Sequence, residues 1–430
     1  MKILVDALFL RPGENGGGET YIRGLLSALS SLDDENAYLV LVRTESRDTF
    51  RSLAANFETH AINLKRGSIV QRLAYEQTVL PILARRWRAD VAFFPANMMS
   101  LGVAALAIPS VVTIHDASSS YYQKTLPRYE QSIVFIARAI LANWAAHAAT
   151  QIVAVSEFGR SEILRTTGVR GNKVSVVHLG SPEFSASFAE REEVFQRLGI
   201  AKPYVLAVGR VLKHKNFDRL VRAFIAAKKS SNFPHRLVIA GRSGWGQADL
   251  ETAIDSSGAG NDVRLTGFVQ DEELATLYRE ADVFVMPSLY EGFGLPVIEA
   301  MKAGLPVLCS TSGSLPEVCG NAALFCDPLD EASISRNLCK IISDRGLAME
   351  LVRKGRLQAE KFTWERTAAR MLEIFRSVAQ RETFSVEALT SGGHASSSPE
   401  EIQETLPLAR GIRPATKPAT PAGRFGRSRE

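Results

Sequence analysis

The chain has 430 residues, 46% of them hydrophobic and 23% charged, with a formal net charge of +5. That is ordinary for a globular protein of roughly two to three domains with sizeable cores. The mild positive balance suits phosphate-bearing ligands or an anionic membrane surface but is no nucleic-acid signature, and no run of about twenty apolar residues exists to span a bilayer.

Taken in chain order, the opening "MKILVDALFL" is too short for a signal sequence and meets Asp6 early, so it predicts a first strand. Further strands are expected at "YLVLVR", "THAINL", "DVAFFP", "SVVTIHD", "QIVAVS" and "VSVVHLG", with helices such as "TYIRGLLSALSSL" and "IVQRLAYEQTVLPILARRW" between them. The strands are continuous β-branched runs, which suits parallel strands covered on both faces, and strand–helix alternation predicts an α/β sheet. "IVFIARAILANWAAHAA", interrupted by Arg138, Asn143 and His147, predicts a buried helix, and Ser156 in "VSEFGRSEI" predicts a helix cap. "SPEFSASFAEREEVFQRLGIAKP" carries no strand, ends in Pro203 and marks a crossing between two domains. A second series follows at "YVLAVGR", "RLVIAGR", "VRLTGFV", "VFVMPS", "PVLCS" and "ALFCDP". The four cysteines, Cys309, Cys319, Cys326 and Cys339, form no CxxC pair and have no His cluster beside them, so buried free thiols and a reducing compartment are expected. From about residue 385 the chain turns to Ser, Pro, Gly and Ala, which predicts disorder.

Open parallel sheets bind ligands beyond the carboxyl ends of their strands, and four loops fall there. "RPGENGGGETYIRGLL" places Gly16 to Gly18 between a strand and a helix start; its spacing is not GxGxxG, and a flexible turn is the alternative. "VGRVLKHKNFDRL" sets Arg210 and Lys215 at a strand end, where a guanidinium fork and a compact ammonium suit a diphosphate, unless this is a solvated basic loop. In "LYEGFGLPVIEA", Glu291 is expected in the loop and Glu299 in the first turn of the helix that Pro296 begins, so that a bend lets both acids face one ligand; a favourable acid near a helix N-terminus is the alternative for Glu299. "VVTIHDASSSYY" ends a strand in His115 and Asp116; a lone His is more often structural, but this position raises the functional reading.

Together, "GRVLKHK" and, about eighty residues later, "PSLYEGFGLPVIEAMKAGLPVL" resemble family-4 retaining glycosyltransferases of the GT-B architecture over roughly residues 1 to 380. The resemblance implies an α/β fold of two Rossmann-like domains with parallel sheets facing across a cleft. It divides the chain into an acceptor domain (1–182), a linker (183–202), a nucleotide-sugar domain (203–362), a helix crossing back (363–384) and the tail (385–430). By the same resemblance Arg210 and Lys215 hold the diphosphate, Glu299 accepts from the ribose hydroxyls, and Glu291 lies near the transferred sugar. Backbone amides at Phe293, Gly294 and Leu295 orient sugar and phosphate, Val269 meets the base through its main chain, and Gly17 closes on the phosphate. His115 and Asp116 face the sugar and acceptor. "AGRSGW" and the "HD" pair are similar to surface-polysaccharide mannosyltransferases. The implied reaction moves a hexose, best mannose, from GDP-mannose or a UDP-hexose to a saccharide or lipid-linked acceptor. It proceeds with retention, without a metal (no D-x-D motif appears) and without nucleic acid. The implied setting is the cytoplasm, with peripheral contact at the inner face of the cell membrane. A sugar-nucleotide epimerase of similar architecture and a catalytically dead nucleotide-sugar-binding protein are the alternatives.

Overall fold

Seven short apolar runs of the first half form one sheet: β1 (Lys2–Asp6), β2 (Ala37–Arg43), β3 (Phe57–Ile62), β4 (Val91–Phe94), β5 (Ser110–Ile114), β6 (Gln151–Ala154) and β7 (Val174–Val176). The computed structural model describes residues 1–116, 133–181 and 190–390. Every pairing is parallel, and Tyr38 to Arg43 of β2 are all buried, as expected of a strand covered on both faces. The crossings are made by α1 (Gly17–Leu32), α2 (Ile69–Trp87), α3 (Leu101–Ala105), α4 (Ile133–Ala148) and α5 (Glu157–Thr167). The strand order β3-β2-β1-β4-β5-β6-β7 reverses between β1 and β4, which opens a crevice at their carboxyl ends. Ser156 caps α5, its Oγ accepting from Gly159 N.

The connecting stretch holds no strand among its described residues but does hold a helix, α6 (Arg191–Leu198), which buries Val194 and Leu198 and ends at Gly199 in the left-handed region. The second sheet follows with β8 (Tyr204–Val208), β9 (Arg236–Ala240), β10 (Val263–Gly267), β11 (Val283–Met286), β12 (Val307–Ser310) and β13 (Leu324–Cys326). Its helices are α7 (Phe217–Ser231), α8 (Gln247–Ser257), α9 (Asp271–Glu280), α10 (Leu295–Lys302), α11 (Leu315–Cys319), α12 (Glu331–Ser343) and α13 (Arg345–Ala359). The order β10-β9-β8-β11-β12-β13, again all parallel, reverses between β8 and β11. The last helix, α14 (Trp364–Thr390), returns to the first sheet: Phe375 meets Phe93 of β4 edge-on at 5.3 Å, and Thr367 Oγ1 donates to His178 O at 2.9 Å. Its backbone continues past residue 385, where the composition predicts disorder; the rest of that stretch, 391–430, lies outside the described residues.

Met1–Ser385 make one compact unit in which a shared core joins Val5 and Val40 of the first sheet to Phe284 and Met286 of the second, through Phe293, Leu295 and Phe375. The opposite face of the first sheet is covered by Leu80 and Ala84 of α2, Val103 of α3, Ala145 and Ala146 of α4 and Ile163 of α5. Here one expectation needs correction. α4 is not buried all round: its small alanines lie on the sheet, while Ile140, Leu141 and Trp144 are exposed. All four cysteines are free thiols, and Cys339 is only half-buried. Among the described residues no helix is long and apolar enough to cross a membrane.

Candidate active site

The loop between β11 and α10 is held from three sides. Leu289 N donates to His214 O at 2.7 Å. Ser314 donates to Glu291 O through its backbone N at 3.2 Å and its Oγ at 3.1 Å, and that Oγ also lies 2.8 Å from Phe293 O. Gly313 approaches so closely that a Cβ there would lie 2.7 Å from both Glu291 N and Glu291 O. The backbone of Glu291 is therefore fixed before its side chain is considered. That side chain accepts from Lys215 Nζ at 2.7 Å in a pair whose side chains are 13% (Lys215) and 10% (Glu291) exposed. Burial opposes charge on Glu291, but the Lys215 cation above all, with His214 beside it, holds the carboxyl below its ordinary range. Lys215 is placed by Asn216, buried and left-handed at φ +62°, whose Nδ2 donates to Pro287 O (2.9 Å) and Pro328 O (2.8 Å). His214, between Lys215 and Leu289, is pushed down to about 4 by burial and by the Lys215 cation.

Arg210, following β8, is exposed, with Nε donating to Ser243 O at 3.3 Å; it does not join the Lys215–Glu291 pair. The strand ends behind it are in direct contact, since a Cβ on Gly241 would fall 2.0 Å from Gly209 O. Val269, just after β10, is buried. Glu299 departs from expectation. Because α10 begins at Leu295, behind Gly294 at φ +108°, Glu299 lies in the second turn and not the first. Its Oε2 accepts from the Tyr278 hydroxyl at 2.8 Å. Burial pushes its carboxyl up to about 7, Asp271 adding to the effect while Tyr278 and Lys302 oppose it.

The first sheet contributes His115 and Asp116, beyond the end of β5. The His115 backbone N donates to Asn97 Oδ1 at 2.7 Å, and its Nε2 lies 2.8 Å from Pro95 O, a pure acceptor, so Nε2 carries the proton. Burial depresses the imidazole, against Pro95 and Asp116, and the ring is neutral with Nδ1 as its lone-pair nitrogen. Tyr21 packs on it edge-on at 4.8 Å. The two sheets' loops touch at this point: a Cβ on Gly292 would lie 2.2 Å from His115 O and 3.0 Å from Asp116 Cβ. Glycine at 292 is required by that approach. Gly17 opens α1 beside Leu295, whose Cδ1 would be 3.9 Å from a Cβ there. The fold thus brings together His115, Asp116, Lys215, Glu291 and the Phe293–Leu295 backbone, with Gly17 alongside. Arg210 and Glu299 keep separate partners. Missed by sequence reasoning are Asn216, Ser314, His178 and Glu317; only a Ser/Gly-rich segment after β12 hinted at the last strand-end loop. Among the described residues no three His, Cys, Asp or Glu side chains converge as metal ligands.

Two Rossmann-type lobes, each with its strand-order reversal facing a common cleft, define the GT-B glycosyltransferase class. Solved structures share this fold: a sucrose-phosphate synthase from Thermosynechococcus elongatus (TM-score 0.70, 20% identity, 88% of this chain and 99% of that one) and the Anabaena protein HepE in complex with UDP and glucose (0.66, 18%, 88% and 100%). Residues 15–181 match Glycosyltransferase Family 4 and residues 190–358 match Glycosyl transferases group 1. The O-antigen chain mannosyltransferase B of Escherichia coli is 32% identical over 274 residues, 62% of this chain and 70% of that one. The mannosylfructose-phosphate synthase of Agrobacterium fabrum is 28% identical over 235 residues, 52% of each chain. The chain belongs to this glycosyltransferase family, with a family 4 lobe followed by a group 1 lobe.

Proposed function

We propose that the protein transfers a hexose, mannose in the first instance, with retention, from GDP-mannose or a UDP-hexose to a saccharide or lipid-linked acceptor in polysaccharide or glycoconjugate assembly. The observation that carries the reading is the nearly buried Lys215–Glu291 pair at the loop before α10, where Gly292 packs against the backbone of a neutral His115. Cleaving a sugar–phosphate bond leaves negative charge on the diphosphate. Lys215, the exposed Arg210 fork and the amides of Phe293, Gly294 and Leu295 would receive it, with no metal required; one such preorganised donor contributes about 3 to 4 kcal/mol to a transition state. Glu291 then steers Lys215 and the sugar hydroxyls, Glu299 takes the ribose, Val269 the base through its main chain, and Gly17 closes on the phosphate. With His115 and Asp116 on the acceptor side, the departing phosphate takes the acceptor proton on the face it leaves, and no enzyme nucleophile is invoked. Mannose is favoured because the two sequence relatives named above carry a mannosyl group in their names, one a mannosyltransferase and the other a mannosylfructose-phosphate synthase.

The test is a thermal-shift panel of GDP, UDP, ADP and their sugars, followed by product analysis with and without saccharide acceptors; a bound ligand raises the melting point. Retained anomeric configuration in a new glycoside supports the reading, whereas conversion of the nucleotide-sugar with no acceptor present would point to the epimerase. Peripheral attachment at the inner membrane face is part of the proposal. Val79 and Ile82 of α2 and Trp144 of α4 are exposed on the outer layer of the first lobe. Lys65, Arg66, Arg85, Arg86 and Arg88 flank or belong to α2, whose one carboxylate, Glu76, is buried. Exposed apolar side chains among cations suit an anionic lipid surface.

A further inference from the structure

Glu317 has no part in the chemistry above. It belongs to α11, in the second lobe, yet its carboxylate is bound by the first. Glu157 N donates to Oε1 at 2.9 Å, Phe158 N donates to Oε2 at 3.1 Å, and His178 Nε2 donates to Oε1 at 2.7 Å. The two backbone donors are unpaired N–H groups at the start of α5, where the helix dipole is positive. Burial works against charge on Glu317, but the His178 bond and the two amide bonds hold it below the ordinary carboxylate range, so it is ionised at neutral pH. A second strap runs beside the first. Ser156 Oγ donates to Gly292 O at 2.7 Å, Phe158 meets Tyr290 edge-on at 5.6 Å, and the His178 ring lies 5.9 Å from Phe293. Tyr290, Gly292 and Phe293 surround Glu291, and Ser314, which precedes α11, is hydrogen-bonded to the same loop.

We propose that Glu317 is a positioning residue for transfer: by capping α5 across the cleft it clasps the two lobes and fixes the register between Glu291 and His115. The inference rests on the glycosyltransfer reading of the site. Arg210, Lys215 and Glu299 lie on second-lobe elements with contacts of their own, and only Gly17 would reach the donor from the first lobe, so the clasp acts chiefly on turnover and leaves most of donor binding in place.

The test is Glu317→Ala in the full chain, read in two ways. Amide hydrogen exchange, without nucleotide and with GDP or UDP, reads the clasp directly: exchange at Glu157 and Phe158 rises about tenfold or more as their acceptor is lost. Turnover of GDP-mannose and UDP-glucose reads the register: kcat falls about tenfold or more while donor KM stays within about threefold. Wild-type kcat in a variant whose two amides are freed overturns the inference, and so does a loss confined to donor KM. If Glu317→Ala does not fold, Glu317→Gln keeps one acceptor oxygen and turns an NH2 group toward the remaining donors. An intermediate kcat is expected there, and wild-type kcat again overturns the inference. If the wild-type protein turns over neither donor, the functional reading fails separately. The clasp then stands on the faster exchange of Glu157 and Phe158 in the variant than in the wild type, and it falls if the two proteins exchange alike there.

Discussion

Lys215→Ala removes a cation whose Nζ lies 2.7 Å from Glu291 Oε1, and two separable effects follow. In the transition state the leaving diphosphate loses one preorganised donor, about 3 to 4 kcal/mol, which is on the order of a hundred- to a thousandfold in kcat. In folding, Glu291 stays buried without its principal partner, and removing one member of a buried pair costs about 3 to 5 kcal/mol. Protonation of Glu291 limits that cost. The pH dependence follows from the sign of the shift. In the wild type the carboxyl is held below its ordinary 4.5, so its contribution is present above that value and is lost as pH falls through the lower folded value. The variant lacks this contribution, so its deficit in melting temperature is widest at neutral pH and narrows in acid. Lys215→Ala with Glu291→Gln separates the effects, because removing both charges restores much of the stability and none of the transfer. The assays are melting temperature against pH and kcat/KM with GDP-mannose and UDP-hexoses. Near-wild-type transfer by a folded Lys215→Ala, or recovery of transfer in the double variant, would refute the assignment.

Three further outcomes are expected. Glu299, raised to about 7, ionises across neutral pH, so affinity for GDP-mannose, whose diphosphate has no terminal phosphate to titrate, should rise with pH through that range. Glu299→Gln should flatten the profile, and an unchanged profile in the variant excludes a carboxylate–ribose contact. The same shift costs stability as pH rises from the ordinary 4.5 toward about 7, so Glu299→Gln should flatten that part of the melting curve as well. Gly292→Ala would set a Cβ 2.2 Å from His115 O and push the loops apart; transfer should fall about a hundredfold while nucleotide binding persists, as kinetics and calorimetry would show. Arg85→Glu with Arg86→Glu should abolish flotation with vesicles rich in anionic lipid without changing turnover of a soluble acceptor, and retained flotation would exclude the α2 surface.

Much of the fold was legible because parallel strands buried on both faces leave a pattern no other element leaves. The run Tyr38–Arg43 has no polar alternation, and it became a central strand. α6 is equally legible, with Val194 and Leu198 four apart before Gly199, the spacing of one buried helical face. α4 was not: an apolar helix shows no direction in sequence, and alanines and tryptophan divide between sheet and solvent only once the layer exists. Glu291 and Lys215 could each be singled out, but not their pairing, because 76 residues separate them and the contact exists only through the adjacency of β8 and β11. Pro296 as a helix start puts Glu299 one turn early, whereas the left-handed Gly294 lets Leu295 begin the helix. The Ser/Gly-rich run around Ser314 marks a strand-end loop but not which serine binds the Glu291 loop, and Glu317 carried no signal, since a single acid on a short helix is a common surface feature.

The proposed assignment of donor to the second lobe and acceptor to the first is supported by how charge is distributed between them. In the first lobe Asp6, at the end of β1, and Glu76, on α2, are both buried; burial raises both carboxyls against the pull of Arg72, and the charge of Asp6 raises Glu76 further. Glu19, in the first turn of α1, is raised by burial as well. A diphosphate entering on that side would meet acids that are costly to ionise and would make them costlier. On the other side it meets Lys215, the exposed Arg210, Arg242 lying 4.0 Å over the Phe268 ring, and the start of α10. These cations are indifferent to the base, so charge alone orients a nucleotide-sugar of any kind. An uncharged acceptor hydroxyl gains nothing from them, and what it needs is a neutral acceptor held in place. His115 offers one, because Pro95 O fixes the proton on Nε2 and leaves Nδ1 without it, and this is the ground for proposing the acceptor on the first lobe.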